Sequence, residues 1–220
     1  MRRVRRLLAL AVALLALTGA GTSSADHLDP EKRIRPADQA RARAMLVRAG
    51  DLGAGYRVER TSGLEPHLTC RSLDESDLTL TGEARTPFWA RELRIVSSAA
   101  AVYRSRGDAD AAWARGTSAP GLRCLRDAFG AGVAQGGPVR ARLRKLAFPR
   151  VAERTAAYRL TLTGTGGGTP QLFVDFVLLQ QGRAQAVLVF ASVVLSPERR
   201  LEVALARRVG ARMSAAMRRG

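Results

Sequence analysis

The chain is short of the residues that most often carry chemistry. Two of its 220 residues are histidine and two are cysteine. His27 lies in a charged N-terminal tail, which leaves His67, beside Pro66 in a polar stretch, as the imidazole of the folded part. A Ser-His-Asp triad would have to use it. Zinc asks for four nitrogen or sulfur ligands, or three and a water, and this set falls short. No Gly-x-Ser-x-Gly, Ser-x-x-Lys or His-Glu-x-x-His motif occurs. Gly164–Gly168 is followed by no lysine and leads into a strand, so it reads as a hairpin loop and not a phosphate cradle. No catalytic residue, metal or cofactor is therefore expected. Aromatics make up 5% of the chain, too few for the stacking platforms of single-stranded nucleic-acid binders.

Lysine is equally scarce: Lys32 and Lys145 stand alone, and every other basic side chain is arginine. With the many alanines, that bias is what a GC-rich genome produces, so the net charge of +17 says less about binding than its size suggests. A field of that sign still draws anionic polymers or membrane surfaces at low salt.

A long apolar run is also missing. Arg2, Arg3, Arg5 and Arg6 precede Leu7–Leu17, and small residues follow at Thr18–Ala25, the layout of a secretory signal peptide. The run is shorter than the roughly 20 residues of a membrane span. Cleavage after Ala20 or Ala25 fits; an uncleaved anchor is the alternative. No cysteine offers a lipid-attachment site at its end. The expected division is a signal peptide over residues 1–25, a flexible leader over 26–35 and a single domain over 36–218. Removing the four N-terminal arginines leaves 32 basic and 19 acidic side chains, a formal +13. The mature chain is expected to be soluble and extracellular, in the cell envelope. Cys70 and Cys124 then sit in an oxidising compartment, where an even pair reads as a disulfide.

Three strand-like stretches dominate the second half: Thr155–Gly164, Gln171–Gln180 and Ala184–Leu195. The first alternates, with Tyr158, Leu160 and Leu162 against Arg159, Thr161 and Thr163. The other two are apolar on both faces, as central covered strands are. Val139–Leu146 alternates as well and should join this sheet across a turn near Pro149. Leu78–Gly82 and Leu93–Tyr103 are further extended segments. Helices are expected from Pro36 to about Ala49 ended by Gly50, from an Asp108 cap to Gly116, from Ser118 to Phe129 stopped by Gly130, and from a Ser196 cap to about Met217. Leu201, Leu205, Val209 and Met213 form the stripe of the last. The fold class is α+β: a single antiparallel sheet of about four main strands plus short N-terminal strands, with helices packed against it.

Leu46–Tyr56, Ser76–Ala84, Val174-Asp175 and Gln181–Ala184, with Val96–Ser98, Val102-Tyr103 and Cys124-Leu125, resemble uncharacterised secreted proteins of high-GC actinobacteria. The wider pattern is similar to the extracellular sensor domain of mycobacterial serine/threonine kinases and to related cell-wall lipoproteins. The chain departs from these in having no kinase domain, no transmembrane helix and no lipid-attachment cysteine. It also has one possible disulfide where those sensor domains usually carry two. The resemblance implies a secreted binding or sensing module and supplies no catalytic residues.

The candidate site is a row of bases. Arg140, Arg142 and Arg144 alternate along one strand, and Arg159, Thr161 and Thr163 lie on the same kind of face next door. Forked guanidiniums in a row suit the phosphates or carboxylates of an extended polymer. An ordinary solvated sheet face is the competing reading. Asp175 is a carboxylate inside an apolar strand, expected to pair with an arginine such as Arg183 or to edge a pocket. An enzyme built on carboxylates near Asp175 or Glu83 is the alternative to a non-enzymatic ligand-binding or sensing module. Asp74, Glu75 and Asp77 lack the EF-hand spacing and read as a solvated loop.

Overall fold

The computed structural model describes residues 28–59, 70–133, 139–164 and 171–218. The expected signal peptide, both histidines and most of the glycine-rich loop before Gln171 lie outside the described residues.

The strands are β1 (Glu31–Lys32), β2 (Arg57–Glu59), β3 (Thr79–Arg85), β4 (Phe88–Arg91), β5 (Arg94–Tyr103), β6 (Val139–Lys145), β7 (Arg154–Gly164), β8 (Leu172–Gln181) and β9 (Ala184–Val193). The helices are α1 (Pro36–Met45), α2 (Arg106–Thr117), α3 (Ala119–Val133) and α4 (Arg199–Arg218). All nine strands belong to one sheet, in the order β1-β3-β5-β9-β8-β7-β6, with β4 also on β5 and β2 on β4. The fold is mixed α+β, but the sheet is about twice as wide as the expected four main strands. The excess lies at one edge, where β3 and β4 both pair with β5. Thr86 joins them by bonding both the N–H and the carbonyl of Ser98. β1, within the expected flexible leader, adds a short parallel pairing to β3 at the same edge.

Period-2 patterning explains the layers. On one face Val96, Ala157, Val177, Leu179, Leu188 and Phe190 meet α1 and α4, whose Met45, Leu205, Val209 and Met213 are buried there. On the other, Ile95, Leu160, Leu162, Val174 and Phe176 pack under Phe129 of α3. Phe129 meets the Phe176 ring edge-on at 5.5 Å. Beside this, Leu78, Leu80 and Tyr103 hold Ala109 and Ala112 of α2. β8 and β9 are thus covered on both sides, as their continuous apolar runs demand.

Several helix ends differ from expectation. α1 stops at Met45, before Gly50, because Val47 is drawn onto the sheet and donates its N–H to the Ser98 hydroxyl at 3.0 Å. Ser105, not Asp108, caps α2, accepting from the Asp108 N–H. α3 runs through Gly130, where a Cβ would crowd Ala141 of β6, so that glycine serves close packing and not a stop. α4 starts at Arg199, three residues past Ser196, with the Glu202 N–H on the Glu198 carbonyl. Cys70 and Cys124 are bonded, loop to α3, with Cα atoms 6.2 Å apart, a normal disulfide span. Among the described residues no helix is long and apolar enough to cross a membrane.

Candidate functional site

β6 is the edge strand, and its pleat sorts its side chains cleanly. Val139, Ala141 and Leu143 turn toward α3 and are half-buried, while Arg140, Arg142 and Arg144 turn the other way and are exposed. Opposite them on β7 stand Thr163, Thr161 and Arg159. The β7 face therefore sets the two threonines beside the ridge, and the three guanidinium stems follow one another at about 7 Å. Among the described residues none of the three arginines has a hydrogen bond or ion pair, whereas most arginines elsewhere are paired. Among the described residues nothing compensates this line of positive charge.

Arg159 differs from its neighbours. Its Nε and Nη2 hydrogens go to the two Asp175 oxygens at 2.7 and 2.6 Å, and the guanidinium lies over the Phe173 ring. Its side chain is 12% exposed and Asp175 is fully buried. Arg159 thus lies beside the free row as a buried ion-pair partner. Register makes the pair: Arg159 and Asp175 are directly opposed on β7 and β8. Arg183, the expected partner of Asp175, instead reaches Asp38 of α1 through two bonds of 2.9 and 2.6 Å. Burial raises the Asp38 pKa, but the bonds from Arg183, Thr81 and Arg41 outweigh it and hold the carboxyl well below the usual range.

A second carboxyl, missed from sequence, completes the cluster beside Asp175. Glu202, in the first turn of α4, is fully buried and bonded to Arg199 at 3.2 Å. Burial, then a hydrogen bond and charge repulsion from Asp175, push its pKa up to about 7 against the opposing pull of Arg199. Glu202 Oε1 receives no hydrogen bond, so a proton on this carboxyl turns the contact with Asp175 into one. The available signal was its place among the buried residues of an amphipathic helix, three before Leu205 and seven before Val209. Arg199 in turn lies over Phe148 at 4.0 Å, which ties the α4 N-terminus to the β6–β7 connection. The result is an Arg-Asp-Glu-Arg cluster whose two carboxyls are buried and whose outer member, Arg199, reaches solvent.

The other acids do not converge. Glu83 binds Lys32 on the far side of the sheet, with β5 and β9 between β3 and β8. Asp77 pairs with Arg115, Asp74 accepts the Ser76 N–H, and Glu75 accepts the Tyr103 hydroxyl. Among the described residues no three His, Cys, Asp or Glu groups are placed to hold a metal.

No family model and no curated protein matches the sequence. The fold has a distant likeness to a solved structure, the extracellular domain of PknH from Mycobacterium tuberculosis. The TM-score is 0.47 at 8% identity, over 84% of this chain and 99% of that one. A likeness of that depth says nothing of ligand or partner, so the functional argument rests on the residues described above.

Proposed function

We propose that the protein is a secreted, non-enzymatic cell-envelope module that holds phosphate or carboxylate anions, of an envelope polymer or a membrane surface, on the β6 ridge. The observation that carries this is the row Arg140, Arg142 and Arg144, three adjacent exposed guanidiniums without an acidic partner among the described residues. Folded domains commonly neutralise such rows, because like charges side by side repel. Here the β7 neighbours are threonines, whose hydroxyls add hydrogen bonds to an anion without competing for the arginines. The aromatic ring on that face of β8, Phe173, is capped by Arg159, so base stacking has no free platform there.

The acids support the non-enzymatic part of the reading. Asp175 and Glu202 are fully buried under their arginines, and Glu83 lies three strand spacings from Asp175. A carboxylate mechanism needs a group within reach of substrate; Asp175 and Glu202 are out of reach, and Glu83, though 36% exposed, is paired with Lys32 and has no second carboxyl of the cluster beside it. Replacing all three ridge arginines with glutamine should weaken retention on an anionic matrix such as heparin while leaving the melting temperature nearly unchanged. Unchanged retention would make the ridge an ordinary solvated face.

A further inference from the structure

Sheet register carries the ridge across to an apolar tip. Arg140 is opposite Thr163, Gln171 donates its side-chain amide to the Thr163 hydroxyl, and the Gln171 carbonyl accepts the Val194 N–H at 2.8 Å. Arg140 and Val194 therefore share one rung of the sheet, three strand spacings or about 14 Å apart. There the chain leaves β9 with two adjacent large hydrophobics in solvent, Val194 57% and Leu195 67% exposed, Leu195 being the most exposed among the described residues. Val194 has φ of 76°. That left-handed conformation is strained for a β-branched residue, and such strain concentrates at binding sites. Glycine would make the same turn without strain or apolar surface.

Unpaired positive charge follows this tip along the chain, beyond Glu198, which is paired with Arg94. α4 begins four residues beyond Leu195, and its exposed Arg200 and Arg207 have no partner among the described residues. With Arg199, Val203 and Ala204 they line a surface trough of about 360 Å³ on the first turns of α4. An extended polyanion would use the guanidiniums and gain nothing from Val194 or Leu195. An anionic bilayer uses both, since an apolar side chain enters the acyl boundary while arginines meet the headgroup phosphates.

We propose that this end of the sheet docks on an anionic membrane, with Val194 and Leu195 inserted and Arg140, Arg200 and Arg207 on lipid phosphates. The inference rests on the anion-binding reading of the ridge and names its source of anions.

The test is co-sedimentation of the full chain with phosphatidylglycerol-containing vesicles, with phosphatidylcholine vesicles as control, and heparin binding measured in parallel. The V194S/L195S variant should lose vesicle binding by about 10-fold or more and keep its heparin binding. Binding to anionic vesicles equal to wild type, or wild type that binds heparin but neither vesicle, overturns membrane docking and leaves the ridge reading intact. If the R140Q/R142Q/R144Q variant binds heparin and vesicles like wild type, the ridge reading itself fails. A Leu195→Cys variant carrying an environment-sensitive dye gives an independent readout: its emission should shift to the blue with anionic vesicles only, and no shift overturns insertion.

Discussion

Substituting Glu202 with glutamine should remove a pH dependence from the stability of this fold. The carboxyl is buried against Asp175, and its pKa stands at about 7 in the folded chain against an ordinary 4.5. A carboxyl raised on folding binds its proton more tightly in the native state. Its contribution is present below about pH 4.5 and declines as pH rises toward 7, where the native group also ionises. The gap of about 2.5 pH units corresponds to roughly 3 kcal/mol. In a domain of this size that is a fall in melting temperature of roughly 6 to 12 °C. Asp38 and Asp51, held low by Arg183 and Arg212 against the cost of burial, lose their stabilisation only at more acidic pH and do not blur the window. Glu202→Gln keeps the volume, offers Asp175 an amide donor and cannot ionise. Thermal unfolding at about pH 5 and about pH 8 should therefore show the wild type falling more steeply than the variant, in which Glu75, also raised by burial, still titrates, with the variant the more stable at the higher pH. Parallel slopes for the two proteins would refute the raised pKa of Glu202.

Two further expectations concern the covalent chain. Non-reducing peptide mapping of secreted protein should find Cys70 linked to Cys124, and replacing both with serine should lower stability by roughly 4 kcal/mol in the chain-entropy model; two free thiols in native material would contradict the bridge. Mass-spectrometric mapping of the mature N-terminus should place it between Thr18 and Asp26; a chain that begins at Met1 and sediments with membranes would contradict secretion.

What the sequence made legible follows from how local the deciding forces are. β7, β8 and β9 could be read because their patterning is strong and the Gly182-Arg183 turn is tight; Gly182 adopts φ of 57° and Gln181 faces Ala184 across it. The connection from β7 to β8 is longer and fixes no register by itself. Arg159 opposite Asp175 was therefore invisible, and the nearer Arg183 was the natural choice. β3 was partly hidden because its burial comes from tertiary contacts. Gly82 lets the Asp38 backbone lie against the strand, and Gln39 brackets Glu83 with two hydrogen bonds. β4, the segment Phe88-Trp89-Ala90-Arg91, is only four residues long and follows a proline. The alternation of Arg140, Arg142 and Arg144 was legible, since on an edge strand it needs only the pleat, but the inclusion of Arg159 in that row was not correct, because its guanidinium is taken up by Asp175. The exposed Val194-Leu195 tip carried no such signal: both residues look like the continuing core of β9 until the backbone turns.

The most direct test of the ridge is the salt dependence of its binding. Titration of wild type and the R140Q/R142Q/R144Q variant with heparin across a series of salt concentrations gives the slope of log K against log salt. Each neutralised anion contributes about 0.7 to 0.9 to that slope. Loss of three contacts should flatten it by about 2 to 3, with weaker binding at every salt and an unchanged melting temperature. Equal slopes and equal affinities would contradict the central claim, and a variant that unfolds would show those arginines to be packed against the fold.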